Sequence, residues 1–249
     1  MVIPDGRNGR AFWERLPGAV EVSISVGVRS LSLFVEPPKL GWAHACTVDD
    51  IEALLGHLPT KDLAAIELVV LRQPKRKEKI LSDVWGRWIP PTQIGRHRGE
   101  AIVLEAQVPG FAVRWPTSLS PADVRQLERL ESEGHSIRAD RRNHVITSDF
   151  DAIRATQLFR TLPHELGHSI DFHQTADLLA TAEPGSEQGR MTAWESKTKL
   201  DKEAFAERYA NEVLRSARAA GLVPFSRRID YKRMRQFRLD PTWFGLAAG

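Results

Sequence analysis

Apolar and polar positions alternate along Val20–Val35 (VEVSISVGVRSLSLFV). That is the period-two signature of strand, and Gly27 marks a bend that makes it one strand or two. Pro37 and Pro38 stop the run. The period then lengthens. Thr47 suits the N-cap of a short helix over Val48–His57, with Ile51, Leu54, Leu55 and Leu58 on its buried side. Leu63–Leu71 (LAAIELVVL) predicts another strand, although its first residues also suit a helix. Val84–Ile89 and Ala101–Val108 predict two more, joined by the turn-like PPTQIGRHRGE. Three strands of this kind suit a small sheet. Trp85 and Trp88 are an odd number of positions apart, so a regular strand points them to opposite faces.

The second half is helical in period. Ser120 as N-cap and Pro121 as N1 open a helix carrying Leu127 and Leu130. The polar stretch 132–145 reads as a loop or short hairpin. Ser148 is the expected cap of a helix from Asp149 toward Arg160, with Asp151 at the capping-box position. Pro163 interrupts the helical pattern, so either a long helix kinks near Arg160 or a new one starts with Thr161 as its cap. Residues 177–199 read as a short helical end and then a loop, because of Pro184, Gly185 and Gly189. Leu200–Ala219 is the strongest amphipathic segment. Phe205, Tyr209 and Val213 form one line, and Glu203, Glu207 and Asn211 another. After Gly221 comes a basic tail whose Tyr231, Met234, Phe237, Trp243 and Phe244 suit docking on the body.

Chemistry concentrates in TLPHELGHSIDFH at 161–173. His164 and His168 are four residues apart, so one helix face offers both imidazoles to one metal ion. Glu165 sits one step round, where a general base for a metal-bound water belongs. A catalytic zinc takes three protein ligands and leaves one position open. Glu203, 35 residues after His168 on the amphipathic helix, is the best third ligand. Glu207, one turn on, is expected to support a ligand histidine, and the two acids can exchange these roles. Asp171 is a further supporting acid or a salt-bridge partner. His135 and His144 are weaker ligand candidates.

The pair HELGHSIDFH (164–173) and KEAFAERYA (202–210) resembles the glutamate-zincin class of zinc metallopeptidases. Within it, the pair is most similar to the catalytic domain of lethal-factor-type bacterial toxins. The resemblance covers about 50 residues. It implies an α+β, zincin-like fold: a small twisted mixed sheet packed on the active-site helix, with a second helix supplying the third zinc ligand. It also implies one catalytic Zn2+, peptide-bond hydrolysis with Glu165 as base, and an edge strand that pairs with an extended peptide. Those toxins carry a tyrosine shortly before the third ligand. This chain has Trp194-Glu195-Ser196-Lys197 there. The transition-state donor therefore stays open among Tyr209, His173, Arg190 and Tyr231.

Composition narrows the picture modestly. At 249 residues, 42% hydrophobic and 27% charged, the chain is ordinary for a globular protein. Expected domains are 1–46, an irregular and strand segment, and 47–249, the catalytic unit with its basic tail. The single cysteine, Cys46, excludes an internal disulfide. No apolar leader and no membrane span are expected, which suits the cytoplasm or export without a cleaved signal. The net charge of +3, the KRKEK run at 75–79 and the 227–238 cluster keep a rival open. That rival is a non-catalytic regulatory protein, associated with nucleic acid, on a metallopeptidase fold.

Overall fold

The computed structural model describes residues 14–75, 85–179 and 187–247. Most of KRKEK, the first 13 residues, Pro184 and Gly185 lie outside these. Among the described residues, the fold is mixed α+β, with a five-stranded sheet packed against helices. Its strands are β1 (Val20–Val26), β2 (Arg29–Val35), β3 (Leu68–Arg72), β4 (Gly86–Ile94) and β5 (His97–Glu105), in spatial order β1-β2-β3-β5-β4. The hairpins β1–β2 and β4–β5 are antiparallel, while β3 runs parallel to both β2 and β5. The sheet is larger than the three strands expected. Gly27 takes φ +61° in the turn, splitting the 20–35 alternation into two strands.

Both faces of this sheet are covered. Leu33, Val35, Val69, Leu71, Ile102 and Leu104 join the main core, whereas Phe34, Leu68, Val70, Ala101 and Val103 form a second cluster. This is the strand period carried into packing: neighbours in sequence go to opposite faces. β3 is buried along its whole length, as a strand between parallel neighbours requires. The 63–71 apolar run therefore divides. Asp62–Ala65 makes a 3-10 turn and only Leu68 onward is strand, a split that apolar periodicity cannot show.

Helix α1 (Val48–Leu55) is capped by Thr47 in a reciprocal box with Asp50, and ends two residues earlier than expected. A three-stranded sheet, β6 (Ala112–Pro116), β7 (Ser136–Ala139) and β8 (Asn143–Thr147), packs Ile146 against Leu127 and Leu130 of α2 (Pro121–Ser132). Ser120 and Pro121 open α2 as expected.

Two local expectations are corrected. The cap of α3 (Phe150–Thr156) is Asp149, whose carboxylate accepts from the Ala152 N–H at 2.8 Å. Ser148 instead bonds His135. Nor does a new helix start with Thr161 as its cap: the helix is continuous, and its irregularity falls at Arg160. α3 runs through a π-helical turn, Gln157–Thr161, into α4 (Leu162–Leu179), and the Leu162 N–H donates to the Gln157 carbonyl. A wider turn accommodates the amide that proline lacks.

The 177–199 loop is corrected in part. Glu187–Glu195 forms α5, and Gly189 lies within it. α6 (Lys199–Ala219) then crosses α4, and α7 (Tyr231–Phe237) with a 3-10 turn at Pro241–Phe244 closes the fold, burying Met234 and Phe244. The tail arginines are partly engaged at home. Arg233 pairs with Asp49 (2.9 Å) and Glu52, and Arg227 donates to the Phe244 carbonyl (2.6 Å). No helix of the described residues is long and apolar enough to cross a membrane.

Candidate metal centre

α4 and α6 cross so that His164, His168 and Glu203 each present one ligand atom within 4.8 Å of the others. His164 Nε2 is 3.4 Å from Glu203 Oε2, and His168 Nε2 is 3.9 Å from the same oxygen. Ligands about 2.0–2.1 Å from a tetrahedral ion lie roughly 3.3–3.4 Å apart. The first distance matches and the second is slightly wide, so this donor set fits a divalent ion of zinc's size and ligand preference. Burial supports the same conclusion. It holds His164 below the usual imidazole range and pushes His168 down to about 4, with His164 beside it adding to the effect. Both rings are thus neutral and able to donate lone pairs at neutral pH.

Glu165 faces the same cleft. The outer edge strand β4 donates the Trp88 N–H to Glu165 Oε2 at 2.6 Å. Burial raises its pKa to about 7 despite that bond, and Glu203 adds to the rise. A carboxyl tuned there moves a proton in either direction at neutral pH. Glu207 approaches the other side of His164, with Oε2 3.8 Å from Nδ1, while its Oε1 is held by Arg129. Asp171 is buried and accepts from Lys197 through Oδ1.

The donor candidates do not gather in the cleft. Tyr209 lies against the core, and its hydroxyl bonds Asp62 at 2.9 Å, six residues round α6 from Glu203. His173 Nε2 sits 2.9 Å from Glu100 Oε1. Tyr231, 42% exposed, begins α7, and Arg190 is absent from the cleft lining. His135 is buried between Ser148 and Thr156, remote in role from the metal cluster.

The cleft encloses ≈ 430 Å³ and adds Arg87, Trp88, Trp194, Lys199 and Lys202 to the motif residues. Sequence reasoning missed these. Trp88 stacks obliquely on Trp194 at 4.8 Å, and Lys202 Nζ lies 3.8 Å over the Trp194 ring. Glu100, buried in β5, fixes the wall by accepting from Trp88 Nε1 (2.9 Å) and lying 2.6 Å from Ser169 Oγ. The usable signal was Glu100 itself, a charged residue directly before an apolar strand run.

Sheet, crossed helices and His/His/Glu cluster are together consistent with a zincin-like architecture, and the cluster resembles a glutamate-zincin type of metal site. Comparison with protein-family models, curated proteins and solved structures finds no match to any of them.

Proposed function

We propose that this protein is a zinc-dependent metallopeptidase of the glutamate-zincin kind, and that its catalytic unit is related to lethal-factor-type toxins. The observation that carries the proposal is the convergence of His164, His168 and Glu203 in a cleft whose opposite wall is an edge strand bonded to Glu165. His164, His168 and Glu203 would hold the ion, and a zinc ion there supplies a Lewis acid that makes a coordinated water more acidic. Glu165 would take a proton from the water as it adds to the scissile carbonyl, and would pass it to the amine as the C–N bond breaks. The Trp88 N–H orients the Glu165 carboxylate for both transfers. Glu207, whose Oε2 is 3.8 Å from His164 Nδ1, is the carboxylate that would accept from Nδ1–H and fix the tautomer once drawn closer.

β4 ends the sheet order among the described residues, so an extended peptide adds there as the next strand. Arg87 or Lys202, both lining the cleft, supplies the cation for the developing oxyanion in place of a tyrosine. The regulatory, nucleic-acid-associated alternative draws less support, because Arg227 and Arg233 of the basic cluster are engaged within the fold, Arg227 by the Phe244 carbonyl and Arg233 by Asp49.

The test is zinc content and turnover of a quenched-peptide library, in wild type and in Glu165→Gln. The expected result is about one zinc per chain in both proteins, with turnover only in wild type. Loss of zinc from Glu165→Gln with turnover retained would reverse these roles, and a zinc-loaded wild type inert on every peptide would overturn the activity.

A further inference from the structure

A second groove opens on the far side of His164. It encloses ≈ 660 Å³ and shares His164 with the metal cleft, and Glu207, which approaches His164 Nδ1, also lines it. Phe159, Leu214, Val223 and Phe225 give it an apolar wall. Five arginines also line it: Arg129, Arg154, Arg160, Arg215 and Arg218. Three of them are matched by carboxylates. Arg129 pairs with Glu207, Arg154 with Asp50 at 2.8 Å, and Arg160 with Glu133 at 2.5 Å. Arg215 and Arg218 are exposed on α6, one helical step apart, with no carboxylate partner among the described residues.

Resting on the peptidase reading, we propose that this groove selects substrates. Its occupant is the continuation of the substrate polypeptide, an apolar side chain followed by one or more Asp or Glu residues. The apolar side chain fills the space beside Phe159 and Phe225, and the acidic residues meet Arg215 and Arg218. Matched arginines contribute shape, while the two unmatched ones contribute charge preference. The apolar wall, and His164 lining both this groove and the metal cleft, favour a polypeptide over a nucleic acid, which would need only the phosphate contacts.

The test uses fluorescein-labelled peptides differing only in one block, Leu-Glu-Glu, Leu-Gln-Gln or Leu-Lys-Lys. Binding to zinc-loaded Glu165→Gln protein is followed by anisotropy, so the readout does not depend on turnover. The acidic peptide is expected to bind about tenfold tighter than the neutral one, with the gap shrinking in salt. In the Arg215→Glu/Arg218→Glu background the order is expected to invert, the basic peptide becoming the tightest. A circular dichroism melt establishes that this variant folds, and Arg215→Gln/Arg218→Gln, expected to abolish the preference without inverting it, serves if it does not. Equal binding of all three peptides overturns the proposal, as does displacement of the acidic peptide by a dT20 oligonucleotide at lower concentration than by unlabelled peptide. A library inert to wild type, combined with the expected binding order, overturns the peptidase activity and leaves the groove assignment standing.

Discussion

Gly167 of α4 lies directly against Ala206 of α6: a Cβ on Gly167 would fall 2.7 Å from the Ala206 Cα and 3.0 Å from its carbonyl oxygen. Both obstacles are backbone, so no side chain can swing aside. Ala206 is fully buried and stands three residues after Glu203. The close approach of these two small residues therefore sets how far α6 stands from α4, and with it the reach of Glu203 toward His164 and His168. The glycine inside HELGH has a packing reason of its own.

Gly167→Ala separates two opposing effects. Alanine favours a helix interior over glycine by about 1 kcal/mol. Forcing a methyl into a closed helix contact costs typically 1–3 kcal/mol. Because the clash is with backbone, the cost is expected to win, lowering Tm by a few degrees. Zinc affinity is expected to fall as well, since α6 must move outward. Thermal melts of the metal-free protein and competition titration with a zinc indicator check the two effects. A raised Tm with unchanged zinc affinity would mean that this contact does not space the helices.

Glu203 and Glu207 are told apart by which nitrogen each approaches. Glu203 faces the Nε2 of both histidines, while Glu207 faces Nδ1 of His164 and is also tied to Arg129. Removing a group that only orients a ligand typically lowers metal affinity about 10–100-fold. Glu207→Ala is expected within that range and Glu203→Ala beyond it. Zinc dissociation constants of the two variants decide, and the reverse ranking would exchange the two roles.

Much of this was legible in the chain because periodicity and spacing are local. Thr47 and Ser120 capped the helices expected of them, and the four-residue spacing placed His164 and His168 on one face. The rest depended on distant partners. Whether Leu63 is strand or turn is decided by where β3 meets β5, and Tyr209 is drawn from the cleft by Asp62, 147 residues earlier. Pro163 offered two outcomes by helix rules, and the chain takes the continuous helix, with a π turn at Arg160 that the rules did not specify. Trp88 and Glu100 bear on the site through pairing between β4 and β5, which no single stretch of sequence displays.

Asp171 is expected to complete the support of His168. His168 Nδ1 and Asp171 Oδ2 are both buried without a hydrogen-bond partner, three residues apart on α4. Neighbours at that spacing reach each other on a helix. Ligation through Nε2 makes Nδ1–H a donor, and Asp171 Oδ2 is the acceptor at hand, with Lys197 holding the other oxygen. Asp171→Ala is predicted to weaken zinc binding roughly 10–100-fold. A zinc titration checks this, and an affinity within twofold of wild type would leave Asp171 only its ion pair with Lys197.

Acid stability is governed in part by His44, far from the metal site. The ring is buried with Nε2 2.8 Å from the Glu36 carbonyl and Nδ1 unpartnered, and burial holds its pKa down at about 4. In the unfolded chain it titrates near 6.5. The unfolded state therefore binds the proton first, so the contribution is intact above about 6.5 and is lost as pH falls toward 4. The loss over that window is roughly 3 kcal/mol for this one group. His44→Gln removes the titration but also disturbs the packing, so it should be less stable than wild type at pH 7.5 and should lose less on acidification. Urea unfolding at pH 7.5 and 4.5 measures both slopes. His135, also lowered by burial, adds the same sign in both proteins and cancels in the difference. Equal losses in wild type and variant would show that His44 accepts its proton without opening the fold.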